Sequence, residues 1–114
     1  MGKLIDGDDG LPAEEVGVWA KEKHDYLCRY IDISRSTRAK FLGPGKAGAT
    51  YIDLFCGPGR CKVRDSGEWI DGGVVAAWKK SREGNAPFSQ VFIGDLDAQR
   101  RQAAATRLRN LGAP

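Results

Sequence analysis

Tyr51-Ile52-Asp53-Leu54-Phe55-Cys56-Gly57-Pro58-Gly59-Arg60 is the stretch whose reading decides the fold. Residues 51–55 are nearly continuous in apolar character, broken only by Asp53. That suits a strand covered on both faces, as in a parallel sheet. The glycines that follow form a tight turn, where backbone can approach a ligand that a side chain would block. Asp53 inside such a strand demands a partner, because an unpaired buried carboxylate is costly. Loop N–H groups, a base or a ligand must satisfy it.

Beyond the turn, residues 62–71 are polar and read as irregular. Asp71 or Gly72 can cap a helix whose body runs through Val74, Val75, Ala77 and Trp78 to about Arg82. Val91, Phe92 and Ile93 form a second strand that ends at Gly94-Asp95. Ala104, Leu108 and Leu111 are spaced for a helix over 98–111, which Gly112 stops. Before the first strand the pattern turns helical from Glu14, with Trp19, Lys23, Tyr26, Leu27, Tyr30 and Ile31 at three- and four-residue steps. Ser34 and Ser36 leave open whether this is one helix or two, and residues 43–48 close it as a loop. Residues 1–12 are polar and glycine-dotted, and the expectation is a flexible tail before a domain over 13–114. The order helix, strand, turn, helix, strand, helix is α/β. It is the opening βαβα of a Rossmann-like doubly wound parallel sheet, preceded by an N-terminal helix. As such it is incomplete, since two parallel strands leave apolar faces and a long unpaired edge.

A chain of 114 residues with a net charge of +3 is one small, mildly basic unit. The charge permits a nucleic-acid partner without arguing for one. Asp6, Asp8 and Asp9 stand where a signal peptide would carry its basic region and apolar core, and no apolar run reaches the length of a membrane span. The expectation is a cytoplasmic protein with reduced thiols and no membrane. Cys28, Cys56, Cys61 and the lone His24 do not make a metal site at recognisable spacing. His24, between Lys23 and Asp25, reads as a surface residue. No hydroxyl nucleophile has a histidine and an acid arranged around it, so hydrolase chemistry is unsupported.

Three ligands compete for the glycine turn. A P-loop needs Gly-x4-Gly-Lys-Ser/Thr after a strand, whereas Gly43 to Thr50 offers glycines and Lys46 in the wrong order and before it. A dinucleotide fingerprint needs a third glycine where Lys62 stands. S-adenosylmethionine has no pyrophosphate, so that glycine matters less. Its sulfonium and ammonium favour a nearby acid, and its ribose suits a carboxylate at the end of the next strand. Asp53, Gly57-Pro58-Gly59 and Asp95 meet those demands in order. Asp95 and Asp97 are both candidate N-caps for the last helix. Asp95 also lies further from the turn than the usual spacing of about 20 residues, and an insertion over 62–71 accounts for the excess.

Asp53-Leu54-Phe55-Cys56-Gly57-Pro58-Gly59 resembles the first motif of class I S-adenosylmethionine-dependent methyltransferases. With Val16-Gly17-x-Trp19, Glu22-Lys23, Gly67-Glu68, Asp71-Gly72 and Asp95-x-Asp97, the chain is similar to the bacterial three-Cys-motif partner family (TcmP) over residues 16–111. The resemblance implies a Rossmann-like methyltransferase fold. It also implies a separate partner protein, encoded nearby, that carries the three-cysteine motif. By the resemblance, the cofactor-binding residues are Asp53, Phe55, Gly57, Pro58, Gly59, Asp95 and Leu96. Gly57 and Gly59 would reach the methionine and ribose, Asp95 the ribose hydroxyls, and Leu96 the adenine. No acceptor loop or Pro-Cys nucleophile follows. The expectation is therefore an N-terminal portion or a truncated gene product that is inactive alone. The alternative is a non-enzymatic module that binds a partner protein or nucleic acid through Arg29 to Lys46 and Arg100, Arg101, Arg107 and Arg109. Aromatic residues do not interleave with these cations as a stacking platform requires.

Overall fold

The computed structural model describes residues 2–114. Strand β3 (Thr50–Asp53) and strand β6 (Gln90–Ile93) pair in parallel, with Tyr51 opposite Val91 and Ile52 opposite Phe92. Side chains alternate between faces along a strand. Tyr51, Val91 and Ile93 therefore share a face, and they pack on the core. On the other face Ile52 is 60% exposed and Phe92 55%. The expected coverage of both faces is thus corrected to one, and Asp53 is half-buried at the end of its strand rather than enclosed in it.

Helix α3 (Gly73–Glu83) lies between these strands in sequence. Val74, Val75, Ala77 and Trp78 recur at helical spacing and are all buried. They meet Ile31, Cys56, Phe88, Ala104 and Leu108 in one cluster. Helix α4 (Ala98–Asn110) contributes Ala104 and Leu108, as their spacing predicts. Asp97 is its N-cap, accepting from the N–H groups of Gln99 and Arg100. Of the two caps weighed for α3, Gly72 holds the position, while Asp71 pairs with Arg60 and Lys79 at 2.9 and 2.8 Å.

Three expectations are corrected by a second sheet. Strand β1 (Leu4–Asp6) pairs antiparallel with β2 (Pro12–Val16), so residues 4–6 are an edge strand within the stretch expected to be a tail; Met1 lies outside the described residues. Glu14 is in β2, and helix α1 (Trp19–Ile33) begins only at Trp19. Residues 62–71 are not irregular: β4 (Arg60–Val63) and β5 (Trp69–Asp71) form a hairpin that buries Cys61 and Val63. Strand β2 joins β4 in parallel, which gives the order β1-β2-β4-β5. The molecule is a mixed α/β fold with one mixed and one parallel sheet.

The serine break makes two helices, with α2 (Arg35–Ala39) following Ser34. The inward face of α1 also differs from the aromatic stripe in the sequence. Trp19, Tyr26 and Tyr30 are exposed, while Ala20 and Ile31 are buried. The positions between them, His24 and Leu27, are half-buried. Among the described residues no helix is long and apolar enough to cross a membrane.

Candidate functional site

Strand β3 ends in a closed turn. Asp53 Oδ1 accepts from the Phe55 N–H at 3.0 Å, a local bond that bends the chain sharply after the strand. The two parallel strands stay tied beyond their ends, because Gly94 N–H donates to Asp53 O and Cys56 N–H to Gly94 O. Gly57 and Gly59 then take φ of 60° and 86°, the left-handed region that costs an L side chain energy. Pro58 between them is fully buried.

The two glycines are needed for different reasons. A Cβ on Gly59 would stand 2.9 Å from Val75 Cγ2, so this residue faces the packed start of α3. A Cβ on Gly57 would stand 3.0 Å from Glu14 Oε2, a carboxylate on the cavity wall. The hairpin leaves the turn and returns to the same point, since Gly72 N–H donates to Gly59 O at 2.8 Å. The β4–β5 hairpin thus lengthens the chain between the turn and Asp95, and α3 starts beside the glycines.

The turn borders a cavity of about 690 Å³. Of the expected site residues, Asp53, Phe55, Gly57, Pro58 and Gly59 line it. Asp95 and Leu96 are not among its lining residues. Asp95 is bound to the turn: its Oδ2 accepts from Gly57 N–H at 3.1 Å and its Oδ1 from Asp97 N–H at 2.9 Å. Leu96 is 99% exposed. Further lining residues escaped the sequence reading of the site, among them Glu14 from β2 of the unforeseen sheet, Arg64 just after β4, and His24 from the inward face of α1.

Burial sets the electrostatics here. It pushes the Cys56 thiol up to about 11, helped by the carboxylates of Asp95 and Asp53. It pushes Cys61 up to about 12, with Glu14 adding to the shift. Both thiols are therefore protonated at neutral pH and neither is a ready nucleophile. His24 is shifted down by burial and then by Lys23, and its Nδ1 is buried without a hydrogen-bond partner. The wall thus offers carboxylates, the cations of Lys23 and Arg64, backbone and a neutral imidazole, a set suited to holding a ligand.

Four of the cations singled out for an interaction surface are engaged within the fold. Arg38 and Arg107 are buried, and Arg35 and Arg100 pair with Asp32 and Asp97. Among the described residues no three His, Cys, Asp or Glu side chains group as a metal site. Comparison with protein-family models, curated proteins and solved structures gives no significant match to the chain.

Proposed function

We propose that this chain is an S-adenosylmethionine-binding, methyltransferase-like protein of the three-Cys-motif partner type, with β3, α3 and β6 forming the opening of a Rossmann-like fold. One observation carries the reading. A left-handed glycine turn sits at the C-terminal ends of two adjacent parallel strands, with Asp53 ending one and Asp95 following the other. In open α/β sheets, ligands bind outside the carboxyl ends of the strands.

The chemistry of the wall supports this ligand over a nucleotide phosphate. Lys23 and Arg64 also line the cavity, but the acids Asp53 and Glu14 stand on the turn side, where they favour a sulfonium and an ammonium over a pyrophosphate. Methyl transfer depends on in-line positioning more than on proton transfer. That agrees with a cavity whose thiols stay protonated and whose histidine stays neutral. Asp95 keeps acceptor capacity beyond its two backbone bonds, because a carboxylate has about four lone-pair sites. A ribose hydroxyl can use it while the turn stays tied. The three-cysteine-motif partner protein belongs to the same proposal.

Calorimetric titration tests it. The chain is expected to give one saturable binding event with S-adenosylmethionine and none with NAD, and weaker affinity for the methyl donor in Asp95→Ala. Binding of NAD instead would overturn the ligand. Equal affinity in Asp95→Ala would remove the role given to that residue.

A further inference from the structure

Arg107 lies on α4, far from the turn in sequence, and is only 6% exposed. Its Nη1 donates to Pro58 O at 2.7 Å, in the middle of the glycine turn, and to Pro12 O at 2.5 Å. Its Nε and Nη2 form a two-point fork on Asp9, at 2.9 and 2.7 Å, and Nη2 also reaches Leu11 O at 3.1 Å. Asp9 lies in the connection between β1 and β2. Its neighbour Asp8 forks in the same way onto Arg60, the residue that leaves the turn, at 3.1 and 2.8 Å. One short connection thus grips the glycine turn from two sides.

The contact on Pro58 O bears on binding geometry. Among the described residues no peptide bond is cis. In a trans peptide the carbonyl and the following N–H point in opposite directions. Fixing the Pro58 carbonyl on Arg107 therefore fixes the direction of the Gly59 N–H. Glycine offers the loosest backbone of any residue, so a turn built on two of them loses much entropy when a ligand orders it. A guanidinium that holds the turn beforehand removes part of that cost.

We propose that Arg107 is a positioning residue for the glycine turn, and that the β1–β2 connection, through Asp9, is the brace that orients it. The planar guanidinium suits the task because its donors are set in a rigid fork, which lysine lacks. Asp9 is held well below the usual carboxylate range, at about 2, chiefly by its hydrogen bonds from Arg107. Asp9 is therefore charged at any physiological pH.

Two readouts test the brace, and only the second rests on the ligand reading above. In the ligand-free chain, hydrogen exchange followed by NMR should report on Gly57 N–H, bonded to Asp95, and Gly72 N–H, bonded to Gly59 O. In Arg107→Lys and in Asp9→Asn these amides are expected to exchange at least about tenfold faster, with the interior amides of α3 much less affected. Asp9 is half-exposed, so its variant tests the brace without leaving a buried hole. Arg38→Lys serves as a control for general destabilisation, since Arg38 is buried on Ala86 O and Ile31 O away from the turn. It should not single out the turn amides. Affinity for S-adenosylmethionine should fall about tenfold in both brace variants and not in Arg38→Lys. Turn amides that keep their protection, or that accelerate only as much as all others, would overturn the brace. A wild-type chain that binds no S-adenosylmethionine would strike the ligand reading and leave the brace to be decided by exchange.

Discussion

Asp53 ends strand β3 with its carboxylate turned onto the chain that follows, where the Phe55 N–H meets it. The sequence demanded a partner for this acid, and a loop N–H supplies one. His24 is the opposite case. Flanked by Lys23 and Asp25 it looks like a surface residue, yet it sits at the step that places Ala20, His24, Leu27 and Ile31 on one side of α1. Burial and Lys23 lower its pKa, opposed by the carboxylates of Asp25 and Asp71 and the Asp71 backbone. In the unfolded chain the imidazole titrates near its ordinary value of about 6.5. The unfolded state therefore binds more protons in the window below that value, and stability rises with pH across it. Acidification from pH 7.5 to 5.5 should lower the urea midpoint. Because the chain has a single histidine, His24→Gln should flatten most of that slope. A midpoint that does not move with pH in the wild-type chain would contradict the buried imidazole.

At the scale of elements, the glycine turn separates two kinds of requirement. Alanine at either position takes on the left-handed penalty of roughly 1–2 kcal/mol. At Gly59 it also meets Val75 Cγ2 within 2.9 Å, and crowding of a packed contact adds about 1–3 kcal/mol. Urea unfolding should therefore show Gly59→Ala losing more stability than Gly57→Ala, by at least about 1 kcal/mol on those figures. Equal losses would mean that α3 gives way at Val75. The elements that could be recognised beforehand were those with a continuous local signal. Strands β3 and β6 carry branched and aromatic runs, and α3 and α4 carry helical spacing over several turns. Strands β1, β2, β4 and β5 have three to five residues each and mix acids and lysine with apolar positions. Their stability comes from partners distant in the chain, as when Glu14 pairs with Cys61. Such pairing leaves no local period to detect. The same holds for the site. Asp53 to Gly59 is contiguous and was visible, whereas Glu14, His24 and Arg107 come together only through the fold. Arg107 in particular stood in the sequence only as one of several cations offered for an interaction surface.

Across the whole molecule, helices α1, α3 and α4 cover one face of the parallel pair, and the four-stranded sheet reaches the turn through β4. Ile52, Leu54 and Phe92 stay exposed on or near the opposite face of the pair. The cavity lies where the two sheets and α1 converge on the turn, so residues from all three border it. This convergence is the basis for assigning the turn a ligand, and an NMR titration of the chain with S-adenosylmethionine tests it most directly. Backbone amide shifts should move at Asp53, Phe55, Gly57 and Gly59, and at Glu14 and His24 across the cavity, while β1 and the far end of α3 stay still. An unchanged spectrum at saturating ligand, or shifts confined to residues away from the turn, would contradict the account.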